Sequence, residues 1–250
     1  MRRGLTAILA VSILTLPAMA GPGNWDGEGS LTAALNTGNT ETSDLGIGVK
    51  MARETQIWRI STEFIADYGT KNGSRTKNRY FASGQFDRTL DDNLFGFARV
   101  SHEENEFSGF NSRSFVASGL GWLVLDDEAA KWSLEGGPGV KFDRLRSRIE
   151  VVEDGEDILV PARSDESYSM MASSRFAYTL NDHVRLSNDT NLIYADVSTQ
   201  FSNKTSLTAS LTQSLSARFS IEVRHDSAPP EGFVDTDTST RMSLVYSFGS

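Results

Sequence analysis

The sequence predicts an all-β protein, a single antiparallel transmembrane β-barrel of about twelve strands with both termini on the periplasmic side. Three observations predict it. From Trp25 to Phe248, apolar and polar residues alternate with a period of two. The breaks between the alternating segments are by turns short and long. Charges within the segments keep to the parity opposite the apolar residues, which is where a barrel in lipid must put them.

The first segment sets Trp25, Gly27, Gly29, Leu31, Ala33 and Leu35 against Asp26, Glu28, Ser30 and Thr32, and a turn follows at Thr37-Gly38-Asn39-Thr40. The second carries Leu45, Ile47, Val49 and Met51 on one face and breaks at Arg53-Glu54. The third carries Trp58, Ile60, Thr62, Phe64, Ala66 and Tyr68, and the fourth Tyr80, Ala82, Gly84 and Phe86. The fifth, 94–100, is apolar on both parities. Placing Leu94, Gly96, Ala98 and Val100 toward lipid puts Arg99 inside, although Phe95 and Phe97 argue the other way. The sixth, 113–125, is equally ambiguous, with Phe115, Ala117 and Leu123 opposite Val116, Leu120 and Trp122.

The seventh is marked by Trp132, Leu134, Gly136, Val140 and Phe142, and the eighth by Tyr168, Met170, Ala172, Phe176, Tyr178 and Leu180. On the ninth, Val184, Leu186, Leu192 and Tyr194 share their face with Asn188. The tenth runs through Leu207, Ala209, Leu211 and Leu215 to a break at Ser216-Ala217-Arg218. Phe219, Ile221 and Val223 mark the eleventh, and Thr240, Met242, Leu244, Tyr246 and Phe248 the twelfth. Short breaks follow the even-numbered segments and longer ones the odd-numbered, up to the stretch 143–167. That asymmetry belongs to outer-membrane barrels.

An Arg at the lipid-facing midplane costs about 2–4 kcal/mol, so the parity of the charges is a strong constraint. It assigns Arg59, Glu63, Arg79, Glu135, Arg175, Arg185, Asp189, Glu222, Arg224 and Arg241 to the lumen wall, with Asp26, Glu28, Lys50, Asp67 and Lys141 on the same parity. Arginine and carboxylates there either pair into a network that fills the barrel or line a wet pore with weak anion preference. Twelve strands lie between filled eight-stranded barrels and open sixteen-stranded porins, which favours a narrow or plugged lumen.

Composition removes whole classes. The 250 residues carry 33 acidic against 24 basic side chains, a net charge of −9, which excludes nucleic acid as a partner. With no cysteine there are no disulfides, thiolate metal sites or cysteine nucleophiles. At the N-terminus, Arg2 and Arg3, an apolar stretch from Leu5 to Leu16 and then Ala18-Met19-Ala20 read as a signal peptide over residues 1–20. The barrel domain is then 21–250. Losing Arg2 and Arg3 deepens the charge from −9 to −11, and the acidity falls chiefly in the expected loops. Acidic loops beside phosphate-bearing lipid suggest bridging by divalent cations.

The two ends resemble a known family. Trp25-x-Gly27 with Gly29 and Leu31, then Thr37-Gly38-Asn39-Thr40-Glu41-Thr42, is similar to the opening of the salt-induced outer-membrane proteins, a DUF481-like family of unknown function. Asp235-Thr236-Asp237-Thr238 leading to Ser243-Leu244-Val245-Tyr246-Ser247-Phe248-Gly249 resembles its close. The resemblance implies an outer-membrane barrel and carries no activity. The aromatic end Tyr246-Ser247-Phe248 also resembles the signal read by the barrel-assembly machinery.

Enzymatic alternatives are sequence-poor. A lipid hydrolase needs a His base beside a Ser nucleophile at the outer rim; His225 and Ser227 share a face there, while His183 falls in a turn and His102 beside Glu103-Glu104 in a solvated loop. The acids Glu150, Glu153, Asp154, Glu156 and Asp157, and Asp226, Glu231, Asp235 and Asp237, lack ordered calcium-loop spacing. Asp154-Gly155 fits a hairpin turn better. No catalytic, metal or cofactor residue is therefore expected, and the partners expected are membrane lipids, the assembly machinery and small polar solutes. The sequence thus describes an outer-membrane barrel, structural or a narrow passive pore, with a soluble periplasmic β-protein as the other fold-level alternative.

Overall fold

The computed structural model describes residues 25–36, 42–151 and 157–249. Twelve antiparallel strands close a barrel in the order β1-β14-β13-β12-β11-β10-β7-β6-β5-β4-β3-β2. They are β1 (Trp25–Asn36), β2 (Thr42–Glu54), β3 (Trp58–Lys71), β4 (Ser74–Asp91), β5 (Leu94–Asn105), β6 (Phe110–Asp126), β7 (Ala130–Leu145), β10 (Ser164–Asn181), β11 (Val184–Ala195), β12 (Thr199–Ser210), β13 (Leu215–Asp226) and β14 (Thr236–Phe248). Between β7 and β10, β8 (Arg148–Val151) and β9 (Asp157–Val160) pair as a separate hairpin. The expected turn at Asp154-Gly155 and the signal peptide lie outside the described residues.

The outer wall is what lipid requires. Leu31, Ile47, Phe64, Val100, Val116, Leu120, Met170, Leu207, Ile221 and Leu244 are all exposed there, and water cannot cover so continuous an apolar belt cheaply. Aromatic residues fringe it at both ends. Tyr68, Tyr80, Phe142, Tyr168 and Tyr194 stand toward the loop end, and Phe86, Trp122, Tyr178, Tyr246 and Phe248 toward the terminal end, where β1 begins and β14 finishes. On β10, Tyr168 and Tyr178 stand ten residues apart. At about 3.3 Å per residue and a tilt of about 40°, that is a band about 25 Å tall, the apolar height of an outer-membrane barrel.

One polar island interrupts the belt. Asn188 and Thr190 on β11 face Thr205 and Asn203 on β12 at mid-strand. The Asn188 amide donates to Asn203 Oδ1 (3.2 Å) and Thr205 Oγ1 (2.8 Å), while the Asn203 amide donates to Asn188 Oδ1 (3.3 Å) and Thr190 Oγ1 (2.7 Å). Both hydroxyls donate in return, to Asn188 and Asn203. The ring uses every amide hydrogen, so polar groups in hydrocarbon leave no bond unmade.

The strands end differently from the expectation in several places. Several expected loops are strand. β3 and β4 join through Asn72-Gly73 alone, with φ of 49° and 79°, as the left-handed turn of a tight hairpin demands. β5 runs on to Asn105, so Glu103 is a strand residue and no solvated loop. The break expected at Arg53-Glu54 falls at residues 55–57, where Thr55 Oγ1 accepts from Trp58 N. The turn expected at Ser216-Ala217-Arg218 lies at 211–214 instead: Thr212 Oγ1 accepts from Leu215 N (3.0 Å), and a local side-chain bond of this kind stops a strand.

Fifth and sixth strands settle their facing. Leu94, Ala98 and Val100 are exposed while Phe97 is 4% exposed. Val116, Leu120 and Trp122 look outward, and Phe115 and Ala117 are buried. Phe97, Phe115, Ala117 and Met171, with Phe95 and Ile193 packed against them, form an apolar cluster inside the barrel. Gly121 makes room for it, since a Cβ there would stand 2.1 Å from the Phe95 ring.

Candidate functional site

The lumen is crossed by side chains. Glu135 on β7, its side chain 1% exposed, takes Arg99 Nη2 at 2.6 Å and Arg175 Nη2 at 2.8 Å. Ser173 Oγ (3.0 Å) and the Gln85 amide (2.9 Å) also donate to it. Gln85 returns its carbonyl to Arg99 Nε and Arg175 Nη2 and donates to Asp87. Strands β4, β5, β7 and β10 are thus tied at one carboxylate. Two fixed guanidinium groups offset the desolvation of a buried anion, so the hub tolerates burial only as a complete set.

A second layer lies nearer the loops. Glu103 on β5 accepts from Arg79 Nη2 (2.6 Å) and Nε (2.9 Å) on β4, and from Arg224 Nη2 (3.2 Å) on β13. Arg224 also holds Glu222 at 2.8 Å. Arg79 reaches Asp67 at 3.4 Å, and Arg241 on β14 holds the same carboxylate at 2.9 Å. Beside it, Arg113 on β6 stacks 3.3 Å above the Phe110 ring and pairs with Asp226 on β13 at 2.6 Å. Lys141, 2% exposed, holds Asp143 at 3.1 Å.

Such spans reveal the cross-section. β5 and β13 stand six places apart in the ring of twelve. Strands about 4.8 Å apart and tilted about 40° would enclose a circle roughly 24 Å across, beyond the reach of one Arg and one Glu. The barrel is therefore pressed into an oval with its short axis from β5 to β13.

The wall formed by β1, β2, β13 and β14 is lined by small residues instead. Ser30, Thr32, Gly46, Gly48, Ser220 and Ser243 leave a cavity of about 50 Å³, edged by Glu28, Lys50, Glu63, Asp67, Lys204, Arg218 and Arg241. Glu28 accepts both Arg218 nitrogens at 2.7 Å, and Glu63 holds Lys50 at 3.3 Å. The space is that of one or two waters.

Of the residues assigned to the lumen from sequence, Glu135, Arg175, Arg79, Glu222, Arg224 and Arg241 belong to the two layers, and Glu63 to the cavity rim. Asp189 stands beside Lys204 in register. Arg59 and Arg185 are exposed on the inward parity near the terminal end, opposite Asp87 and Thr208, and join neither layer. Glu103, Arg113, Asp143, Asp226 and Gln85 were not singled out as lumen residues. Asp226, expected among the loop acids, is the inward last residue of β13. His225 Nδ1 is 3.0 Å from Thr236 Oγ1, while Ser227 Oγ accepts from Thr199 N at 2.8 Å; each is engaged elsewhere than with the other. His102 sits on the outer face, 2.8 Å from Ser114. Among the described residues no group of three or more metal-ligating side chains converges; Glu150, Glu153, Asp154, Glu156 and Asp157 lie where side chains are not described.

Comparison with known proteins gives the lumen a context. The profile of a family described as "Protein of unknown function, DUF481" matches residues 29–248. The "Uncharacterized protein YdiY" of Escherichia coli (strain K12) is 24% identical over 225 residues, covering 88% of this chain and 82% of that protein. Among solved structures, the NanC porin aligns with a TM-score of 0.50 at 13% identity, over 89% of this chain and 98% of its own. The translocator domain of the autotransporter NalP from Neisseria meningitidis aligns with a TM-score of 0.50 at 12% identity, over 92% and 90%. At such identities the likeness is one of fold.

Proposed function

The chain belongs to the DUF481 family, whose function is unknown, and we propose that it works as a narrow passive pore for small polar solutes in a Gram-negative outer membrane. One observation carries the reading: a charged, polar interior inside an apolar, aromatic-fringed wall, crossed by ion pairs that leave a cavity of about 50 Å³. A barrel meant only as a wall anchor would gain more from an apolar filling, because buried ion pairs are seldom more stable than well-packed hydrophobic residues. Polar side chains that swing aside can instead admit water and ions.

In this reading the short turns and both termini face the periplasm, and Tyr246-Ser247-Phe248 presents the final strand to the assembly machinery. The same reading assigns the protein no catalysis: His225 and Ser227 are each engaged elsewhere, which lends the lipid-hydrolase alternative no support. The belt of exposed Leu, Ile and aromatic residues weighs against a soluble periplasmic protein.

Planar-bilayer recording of the refolded chain tests the pore. Small current steps, well below those of sixteen-stranded porins, are the expected result. No steps above background in any salt would leave a structural, envelope-stiffening role. Heat-modifiable migration with outer-membrane fractionation tests the location.

A further inference from the structure

At the terminal end, the lipid-facing parity of the described strands carries two basic residues, Arg53 and Arg88. β2 runs on through Arg53 and β4 through Arg88. They keep step with the exposed Leu45 and Ile47 on β2 and Tyr80 and Phe86 on β4. Trp58 of β3 stands between them. Arg53 lies 5.8 Å from the centre of the Trp25 ring and 5.6 Å from that of Trp58. Arg88 is directly opposite Trp58 in register.

This row sits at headgroup depth. Arg88 is two residues beyond Phe86 of the aromatic fringe, about 5 Å farther out at a rise of about 3.3 Å and a tilt of about 40°. Tryptophan marks that level in membrane proteins, and the lipid that covers the wall brings its phosphate there. Acids do not claim the two charges. Glu54 and Asp87 have the inward parity, each opposite Arg59. Asp91 and Asp92 lie in the next turn, where they border a hollow with Leu94 and Trp122 on the side of β5 and β6. Arg88 itself is exposed, with no ion pair or hydrogen bond among the described residues.

We propose that Arg53, Trp58 and Arg88 form a docking site for the phosphate of an anionic phospholipid in the leaflet at the terminal end. The guanidinium groups, on the strands either side of β3, donate to its oxygens. Its acyl chains lie along Phe86 and Phe64, both exposed on the outer wall. Two cations side by side favour a headgroup of net negative charge over a zwitterionic one. The site does not depend on conduction through the barrel.

The chain has four tryptophans, and Trp122→Phe with Trp132→Phe leaves Trp25 and Trp58 to report on the site. In phosphatidylcholine vesicles, a minor share of acyl-brominated phosphatidylglycerol should quench their fluorescence more than the same share of brominated phosphatidylcholine. Arg88→Gln should cut that preference about fivefold, and Arg53→Gln added to it should leave none. Unchanged quenching by brominated phosphatidylcholine shows that these variants still stand in the bilayer. A chain keeping Trp122 alone should be quenched equally by the two lipids. Equal quenching of Trp25 and Trp58 by both lipids, a preference that survives loss of both arginines, or one that Trp122 shares would each overturn the proposal. Full displacement of the lipid by inorganic phosphate at constant ionic strength would do the same.

Discussion

Glu103 and Arg224 meet across the short axis of the lumen, 3.2 Å apart, from strands on opposite sides of the ring. Arg79 holds the same carboxylate at 2.6 Å. Glu103→Gln keeps the size and removes the charge that gathers both arginines. Single-channel conductance should rise severalfold with a shift toward anions, since two guanidinium groups are freed into the lumen. Unchanged conductance would show that ions pass elsewhere or not at all.

Glu135 is a matter of stability. Glu135→Ala strands Arg99 and Arg175 and should cost about 3–5 kcal/mol, the usual penalty for breaking a buried ion pair from one side. Urea unfolding of the protein in lipid vesicles measures it. The triple replacement Glu135→Leu, Arg99→Met, Arg175→Met should recover most of the loss.

The asparagine ring on the outer wall predicts non-additivity. Asn188→Leu leaves the Asn203 amide without two of its partners, at a cost of about 1–3 kcal/mol. Adding Asn203→Leu should restore stability to the wild-type value or better, because lipid prefers leucine. Vesicle unfolding of the two single variants and the double variant reads the coupling directly.

Two glycines separate crowding from mere flexibility. At Gly121 a Cβ would press on the Phe95 ring at 2.1 Å, so Gly121→Ala should cost about 1–3 kcal/mol, and Phe95→Ala should relieve it. Gly29 has nothing within 4 Å of its Cβ position, and Gly29→Ala should fall within about 0.5 kcal/mol of wild type.

At the loop end, Glu106 accepts from the Asn78 amide at 2.9 Å and from Arg75 at 2.7 Å. These bonds, that of Asn78 foremost, hold its carboxyl below the ordinary value of 4.5. The contribution to stability is present above the ordinary value and is lost as pH falls through the lowered one. Carboxyl-carbon NMR should show the depressed midpoint, and Asn78→Ala should raise it.

The outer wall was legible because lipid enforces strict alternation. The lumen was not, since its parity accepts any filling: Phe95, Phe97 and Phe115 turn inward beside Arg99, which left strands β5 and β6 ambiguous. Leu211 and Leu215 keep the parity of a continuing strand, and only the Thr212 hydroxyl marks the turn. Glu103 and Asp226 sit where strands outrun the apolar band, so no outward partner residue announced their facing. Parity also tells which wall a charge faces, never its opposite number. The meeting of Glu103 with Arg224 depends on the oval section, which emerges only once all twelve strands are joined.

The ion pairs on the cavity rim link the two ends of the chain. Glu28 and Arg218 are 190 residues apart, and Asp67 and Arg241 are 174 apart. Contacts so distant in sequence are slow to form, and backbone rungs act only at short range. Opposite charges attract from farther away in a water-poor interior. During assembly these pairs can align the first three strands with the last hairpin before the Gly27–Phe248 rung forms, setting the register at which the ring shuts. Neutralising Arg218 and Arg241 together would then show itself as slow or misregistered closure, visible in refolding kinetics before any loss in the finished barrel.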